Sequence, residues 1–524
     1  MTDIFEGIDR VLILDFGSQY SHIIVRRTRE IGIYCELQPC DMKFDDMKAY
    51  NPKGVILSGG PSSIYEEDSP ALPEGFFEWV TSQNIPVLGI CYGFQASVSK
   101  LGGKVEQSGK GEYGHAILNI LNKDALMFQG IEETETQIWA SHRDKVTGLP
   151  EGWTHTASSV NCEFSAAENH EKKLYGLQFH PEVFHTVKGK VMLENFLLTA
   201  CACQKNWKMD DFCEVELRKL RETVADDEHV IGAVSGGVDS TVAAVLLAKA
   251  LGDRFHAIMV DHGLLRKDEA KSVKARMEGL GVNLTVVDAS ELFLGKLAGV
   301  EDPEQKRKII GFTFIEVFEA EAKKIPNTKF LLQGTLYPDV IESVSFKKGP
   351  SATIKSHHNL TLPEKLDLKL IEPMRELFKD EVRALGRILG IEEKSIMRHP
   401  FPGPGLAIRI LGSVDPASCD ILREVDSIYL EELHKNNIYG EISQAFSVLL
   451  PVKSVGVMGD SRTYEQVVVL RAVKTTDFMT ADWYHMPYDV IAKISNRIIN
   501  EVRGVNRVCY DVSSKPPATI EWEQ

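Results

Sequence analysis

Three short apolar runs near the start of this chain each stop on small residues. Val11-Leu12-Ile13-Leu14 runs into Asp15-Phe16-Gly17, Gly54-Val55-Ile56-Leu57 into Ser58-Gly59-Gly60, and Val87-Leu88-Gly89-Ile90 into Cys91. Runs that are apolar at successive positions suit strands buried on both faces, as in a parallel sheet covered by helices. Periodic segments from Ser21 to Ile31 and Phe76 to Thr81 supply the covering helices. The pattern restarts at Val230-Ile231-Gly232-Ala233-Val234, passes through His256 to Val260 and Asn283 to Val287, and reaches Phe330-Leu331-Leu332 before Gln333-Gly334-Thr335. Loops that bear function belong at the carboxyl ends of such strands.

The stretch from Arg398 to Gly405 holds three prolines with interleaved glycines, which forbids a regular helix. Beyond it the order changes. Ser454 to Met458 and Gln466 to Ala472 read as strands, Val490, Ile491, Ile494, Ile498, Ile499 and Val502 share a helix face, and Asn506 to Val512 reads as a closing strand. The expected fold is α/β: two doubly wound parallel-sheet domains followed by a small α+β domain. The boundaries fall at 1–205, 206–399 and 400–524, with the polar stretch Gln204 to Asp211 as a linker. At roughly 150 residues per domain, about three domains also suit the length.

Hydrophobic residues at 43% and charged residues at 26% are ordinary globular values. No stretch approaches a membrane span, and the acidic start Met1-Thr2-Asp3-Ile4-Phe5-Glu6 lacks a basic segment before an apolar run, so the cytoplasm is expected. Nine scattered cysteines suit a reducing compartment. Cys201, Cys203 and Cys213 lack the fourth ligand and two-pair spacing of a metal site and read as free thiols. A net charge of -16 argues against nucleic-acid binding, so any phosphate site needs local cations. These gather at Lys306-Arg307-Lys308, Lys347-Lys348, Lys355 with His357-His358, and Lys379; taken alone, the first cluster reads as a solvated face.

Gly89-Ile90-Cys91-Tyr92-Gly93 turns a buried strand through glycine toward the helical segment Phe94 to Lys100. That elbow exposes a nucleophile above a sheet, and the helix N-terminus stabilises a thiolate. Phe179-His180-Pro181-Glu182 ends another apolar run, Leu174 to Leu177, so His180 can serve as the base and Glu182 orient it. Ser58-Gly59-Gly60-Pro61 offers backbone amides near Gly60 that, with the amide of Tyr92, form an oxyanion hole.

Ser235-Gly236-Gly237-Val238-Asp239-Ser240 follows an apolar strand and opens the helical run Thr241 to Leu247. Glycines let the backbone approach phosphates, and amides at the helix start meet them. The loop has no Lys, so it is no Walker A site. A second glycine string, Gly109-Lys110-Gly111-Glu112-Tyr113-Gly114, has dinucleotide spacing, but a strand follows at His115 to Ile120 and the string reads as a turn.

With GICYG and FHPE, the first 200 residues resemble the class I glutamine amidotransferases. That resemblance implies that Cys91 attacks a glutamine amide, His180 shuttles the proton and Glu182 supports it, with Gln95 and Ser141-His142-Arg143-Asp144 near the glutamine. The Ser235 to Thr241 loop resembles the pyrophosphatase loop of ATP-using adenylating enzymes, in which the Asp, here Asp239, helps hold Mg²⁺. KRKIIG from Lys306, LLQGT from Leu331, IKSHHN from Ile354, HPFPGPGLAIR from His399 and KPPATIEWE from Lys515 extend the likeness to the glutamine-hydrolysing GMP synthases. That family implies xanthosine monophosphate (XMP) as acceptor, contacted by Arg307, Asp460, Lys515, Ile520 and Glu521, and a homodimer formed through the C-terminal domain. The rival readings are another adenylating amidotransferase such as an NAD synthetase, which should lack PFPGPG and KPPATIEWE, and a tRNA-modifying enzyme with the same loop.

Overall fold

A computed structural model describes residues 7–66, 68–340, 368–458, 460–475, 478 and 480–523; the side chains of 108–110 and 458 are not described. The cations Lys347, Lys348 and Lys355, with His357 and His358, lie outside these residues. The chain divides into two compact units, Met1–Phe212 and Cys213–Gln524. Among the described residues no helix is long and apolar enough to cross a membrane.

In the first unit, β1 (Arg10–Asp15), β2 (Tyr34–Pro39), β3 (Gly54–Leu57), β4 (Val87–Ile90), β5 (Lys104–Ile120), β6 (Glu135–Gly148), β7 (Thr154–Ser158), β8 (Ala166–Asn169) and β9 (Leu174–Leu177) form one sheet. Its order is β2-β1-β3-β4-β9-β8-β7-β5-β6. Pairing is parallel from β2 to β9 and antiparallel beyond. The three apolar runs of the sequence are the buried parallel strands β1, β3 and β4. Gly109 to Gly114 is a correction: it lies within β5, where the pairing with β6 slips between Gln107 and Glu112. A bulge takes up extra residues without reversing the chain, which a glycine count alone cannot tell from a turn.

The polar stretch after Cys203 is stitched to the first unit. The Gln204 amide donates to Asp9 Oδ2 at 2.7 Å, the Asp9 amide donates to Asn206 Oδ1 at 3.2 Å, and Trp207 packs against Tyr34.

In the second unit, β10 (His229–Ala233), β11 (Phe255–Asp261), β12 (Leu284–Asp288), β13 (Thr328–Leu332) and β14 (Lys369–Ile371) form a wholly parallel sheet of order β12-β11-β10-β13-β14. The third sheet is built on the hairpin β15 (Gln444–Met458) and β16 (Ser461–Lys474), with β17 (Asp482–Trp483) antiparallel and β18 (Val505–Tyr510) parallel to β16. Helices Pro303–Ala322 and Pro416–Lys435 start alike: Asp302 and Asp415 each accept an amide three residues on, and proline takes the first turn. No helix forms through Pro400-Phe401-Pro402, and the chain resumes as a 3₁₀ turn at Gly405–Arg409. One apolar core runs from Val260, Leu264, Phe293 and Ile310 through Leu406 and Ile410 to Leu422, Val425, Ile494 and Ile498.

Candidate active site

Cys91 stands between β4 and the helix Tyr92–Lys100 with φ 50° and ψ −105°, a conformation that a non-glycine residue adopts only when its surroundings impose it. They do so here. The Cys91 amide donates to Leu177 O at 2.7 Å, the Gly93 amide donates to Ser58 O at 3.0 Å, and a Cβ at Gly93 would lie 2.5 Å from Leu57 O. Cys91 is 4% exposed.

His180 follows β9, the strand beside β4, and its Nδ1 lies 2.8 Å from Glu182 Oε1. With Nδ1 so engaged, Nε2 is left for the thiol. Burial works against a charge on His180, but the Glu182 carboxylate and the Cys91 contact outweigh it and hold its pKa well above the usual imidazole value. Tyr20 packs edge-on to the imidazole, and the His180 amide and carbonyl are tied to Trp139 O and Thr186 Oγ1.

The glycine segment after β3 adjoins this pair. A Cβ at Gly59 would lie 3.0 Å from His180 Cε1 and 3.6 Å from Cys91 Cβ, and one at Gly60 would meet Phe16 O and the Tyr92 ring. The Gly59 backbone therefore adjoins both Cys91 and His180, and Gly60 lies against the Tyr92 ring. Gln95 is buried and donates to Asp144 O at 2.6 Å, and the Ser141 carbonyl is 3.7 Å from Cys91 Sγ.

Two features here have no counterpart in the sequence reading. Gln178 Nε2 lies 3.9 Å from Cys91 Sγ. Glu112, on β5, meets His142 Nε2 at 3.3 Å and accepts from Ser159 Oγ and the Asn161 amide. Burial alone would raise the Glu112 pKa, but the His142 and Ser159 bonds bring it below the ordinary carboxylate value. Glu112 is far from His142 in sequence, so only the β5-β6 register, which pairs Glu112 with His142, discloses the contact.

In the second unit, the Ser235 to Ser240 loop joins β10 to the helix Val238–Leu251. Ser240 Oγ accepts from the Ser235 amide at 3.2 Å, and the Gly237 amide points to Ser235 Oγ at 3.4 Å. Gly236 has φ 79°, and a Cβ there would lie 2.6 Å from Val273. Its carbonyl is held by Arg276 and Arg398, and Arg398 also pairs with Glu269. Asp239 Oδ2 is bonded to Lys379, a cation drawn from 140 residues downstream, while its Oδ1 is buried without a partner. That unpaired oxygen fits the cation expected at Asp239. No cluster of three or more metal-binding side chains occurs among the described residues.

The five residues expected at the nucleotide do not all meet. Arg307 Nη2 bonds Glu523 O. Glu521 takes two hydrogen bonds from the buried Arg409, at 2.8 and 3.1 Å, and one from Gln444 at 2.7 Å. Ile520 is packed with Phe446 and Val448, and Lys515 Nζ donates to Phe478 O at 2.8 Å. Asp460 sits in the turn joining β15 and β16, while Gln444 begins β15 at the hairpin's other end. At about 3.3 Å per residue that separation is on the order of 40 Å. The solvated-face reading of Lys306 to Lys308 is corrected at Lys306 alone, which is fully buried and donates to Ala407 O, Ile410 O and Glu523, whereas Lys308 is exposed.

Residues 12–200 match the family described as glutamine amidotransferase class-I, residues 210–307 match NAD synthase, and residues 431–522 match the GMP synthase C terminal domain. The glutamine-hydrolysing GMP synthase of Kluyveromyces lactis is 56% identical over 522 residues, which is 98% of each chain. The chain belongs to the glutamine-hydrolysing GMP synthase family. GMP synthases of the same description from Aquifex aeolicus, 56% identical over 98% of this chain and 99% of its own, and from Saccharomyces cerevisiae, 55% identical over 98% of each, agree. The NAD synthase match falls on the phosphate loop. The C-terminal match, specific to GMP synthases, separates the chain from the rival amidating and tRNA-modifying enzymes.

Proposed function

We propose that this chain makes GMP from XMP, consuming ATP and glutamine and releasing AMP, pyrophosphate and glutamate. The reading rests on one observation above all: a single chain carries the strained Cys91 with His180 and Glu182 in one unit and a lysine-free phosphate loop in the other.

In the glutaminase half, the Cys91 thiol gives its proton to His180 and the sulfur pair attacks the glutamine side-chain carbonyl. Amides at Gly60 and Tyr92 receive the oxyanion. The C–N bond breaks, the imidazolium proton leaves with nitrogen as ammonia, and water cleaves the thioester to glutamate. Glu182 holds the imidazole in the orientation this exchange needs. In the synthetase half, Ser235, Gly236, Gly237, Val238, Asp239, Ser240 and Thr241 cradle the ATP phosphates. The oxygen at C2 of xanthine is a poor leaving group; as an adenylate ester it departs with AMP when ammonia attacks. Mg²⁺, held by Asp239, would offset pyrophosphate charge. Arg307, Lys515, Ile520 and Glu521 bound the XMP site. Two chains pair through the C-terminal segment, whose hairpin exposes Val455, Val457 and Tyr464. The nine free thiols suit the cytoplasm.

The test is to incubate the protein with XMP, ATP, Mg²⁺ and glutamine. GMP, AMP and pyrophosphate should appear in equal amounts; ADP with orthophosphate would overturn the reading.

A further inference from the structure

The nucleophile has a neighbour that the triad does not employ. Gln178 lies between Leu177, the end of β9, and the base two residues on, and its side chain is 1% exposed. The backbone is fixed by a 2.8 Å bond from its amide to Ser165 O. Its Nε2 lies 3.9 Å from Cys91 Sγ, within reach of an N–H···S bond, and its Oε1 is buried without a partner. A buried amide kept for structure would have both ends paired. Here the side chain turns its N–H to the sulfur. The Ser141 carbonyl also lies 3.7 Å from the sulfur, placed to accept the S–H. The thiol therefore sits between an acceptor that favours S–H and a donor that favours S⁻.

We propose that Gln178 is a catalytic residue of glutamine hydrolysis: its side-chain N–H stabilises the Cys91 thiolate once the proton has passed to His180. When the sulfur pair forms the thioester and ammonia departs with the imidazolium proton, the sulfur loses its charge and the bond slackens. Hydrolysis of the thioester restores it. Cys91 is thereby activated from two sides, by the base that takes the proton and by the donor that steadies what remains.

The inference rests on Cys91 being the glutaminase nucleophile. The experiment is the pH dependence of Cys91 alkylation by iodoacetamide in the full chain, read by mass spectrometry on the Cys91 peptide alone, for the natural protein, Q178L and the near-isosteric Q178E. The midpoint should rise by about one pH unit in Q178L, and further in Q178E, where a carboxylate replaces the donor. Glutaminase kcat should fall about tenfold in Q178L, with KM for glutamine changed by less than about twofold. An unmoved or lowered midpoint in a folded variant overturns the proposal, and if Q178L does not fold, Q178E decides alone. Failure of the underlying reading looks different: Cys91→Ala would then still hydrolyse glutamine.

Discussion

The Cys91 amide donates to the Leu177 carbonyl across 2.7 Å, so the nucleophile's backbone is tied to the strand that leads to its base. Cys91 and His180 are far apart in sequence, yet the β4-β9 pairing brings their strand ends side by side, with Leu177 opposite Ile90. Ladder register thus brings the nucleophile's strand end beside that of its base.

Cys91→Ala should cost glutamine-dependent GMP synthesis several orders of magnitude while ammonium salts still support it. Asp239→Ala should stop both. Assaying each variant with glutamine and with ammonium chloride checks this; loss of ammonia-dependent synthesis in a folded Cys91→Ala protein would contradict the division of labour.

Glu182→Gln keeps the shape and removes the charge that lifts His180. The imidazole should then surrender its proton at lower pH, seen by NMR titration, and the glutaminase kcat should fall on the order of 10²- to 10⁴-fold. An unchanged imidazole titration would show that Glu182 is not what raises it.

Gly93→Ala places a methyl group 2.5 Å from Leu57 O, a backbone atom that cannot step aside. The elbow should open, lowering stability of the first unit by about 1–3 kcal/mol in thermal unfolding and reducing glutaminase more than ammonia-dependent synthesis.

His262 and His399 are 6% and 5% exposed, and burial depresses each to about 4 from 6.5. His262 Nδ1 accepts the Leu264 amide, so protonation breaks that bond. Because folding lowers these values, the unfolded chain binds more protons between pH 6.5 and 4. Their stabilisation is complete above 6.5 and lost as pH falls toward 4, at most about 3 kcal/mol each. Chemical denaturation across that range should show the decline, and His262→Asn, which keeps an acceptor, should roughly halve it, leaving the part due to His399.

Arg409→Met strands the Glu521 carboxylate in a buried site and should destabilise the second unit by about 3–5 kcal/mol. Arg409→Met with Glu521→Met should recover much of that in thermal unfolding, because the uncompensated charge is gone.

The parallel strands were legible because burial on both faces leaves a mark in consecutive residues: β1, β3, β4 and β10 fall on their apolar runs. The α+β tail was legible for a like reason, since Ile494 and Ile498 mark a helix face that is buried in the structure. Of the β5-β6 pair only His115 to Ile120 was legible as strand; the rest was not, because its pairing is antiparallel and partly exposed and its glycines imitate a turn. At the sites, elbow and loop carry local backbone demands that only certain residues meet. Gln178, Glu112, Lys379 and Arg409 carry no such local mark, since each acts on a partner chosen by distant register or packing.

The apolar core that passes without a break from Val260 through Leu406 to Ile498 has an evolutionary corollary. A gene cut at residue 400 would leave two fragments, each with a greasy wound, so recombination that separates them should be purged. The first 212 residues carry their own interior and could be swapped between ancestors as a cassette.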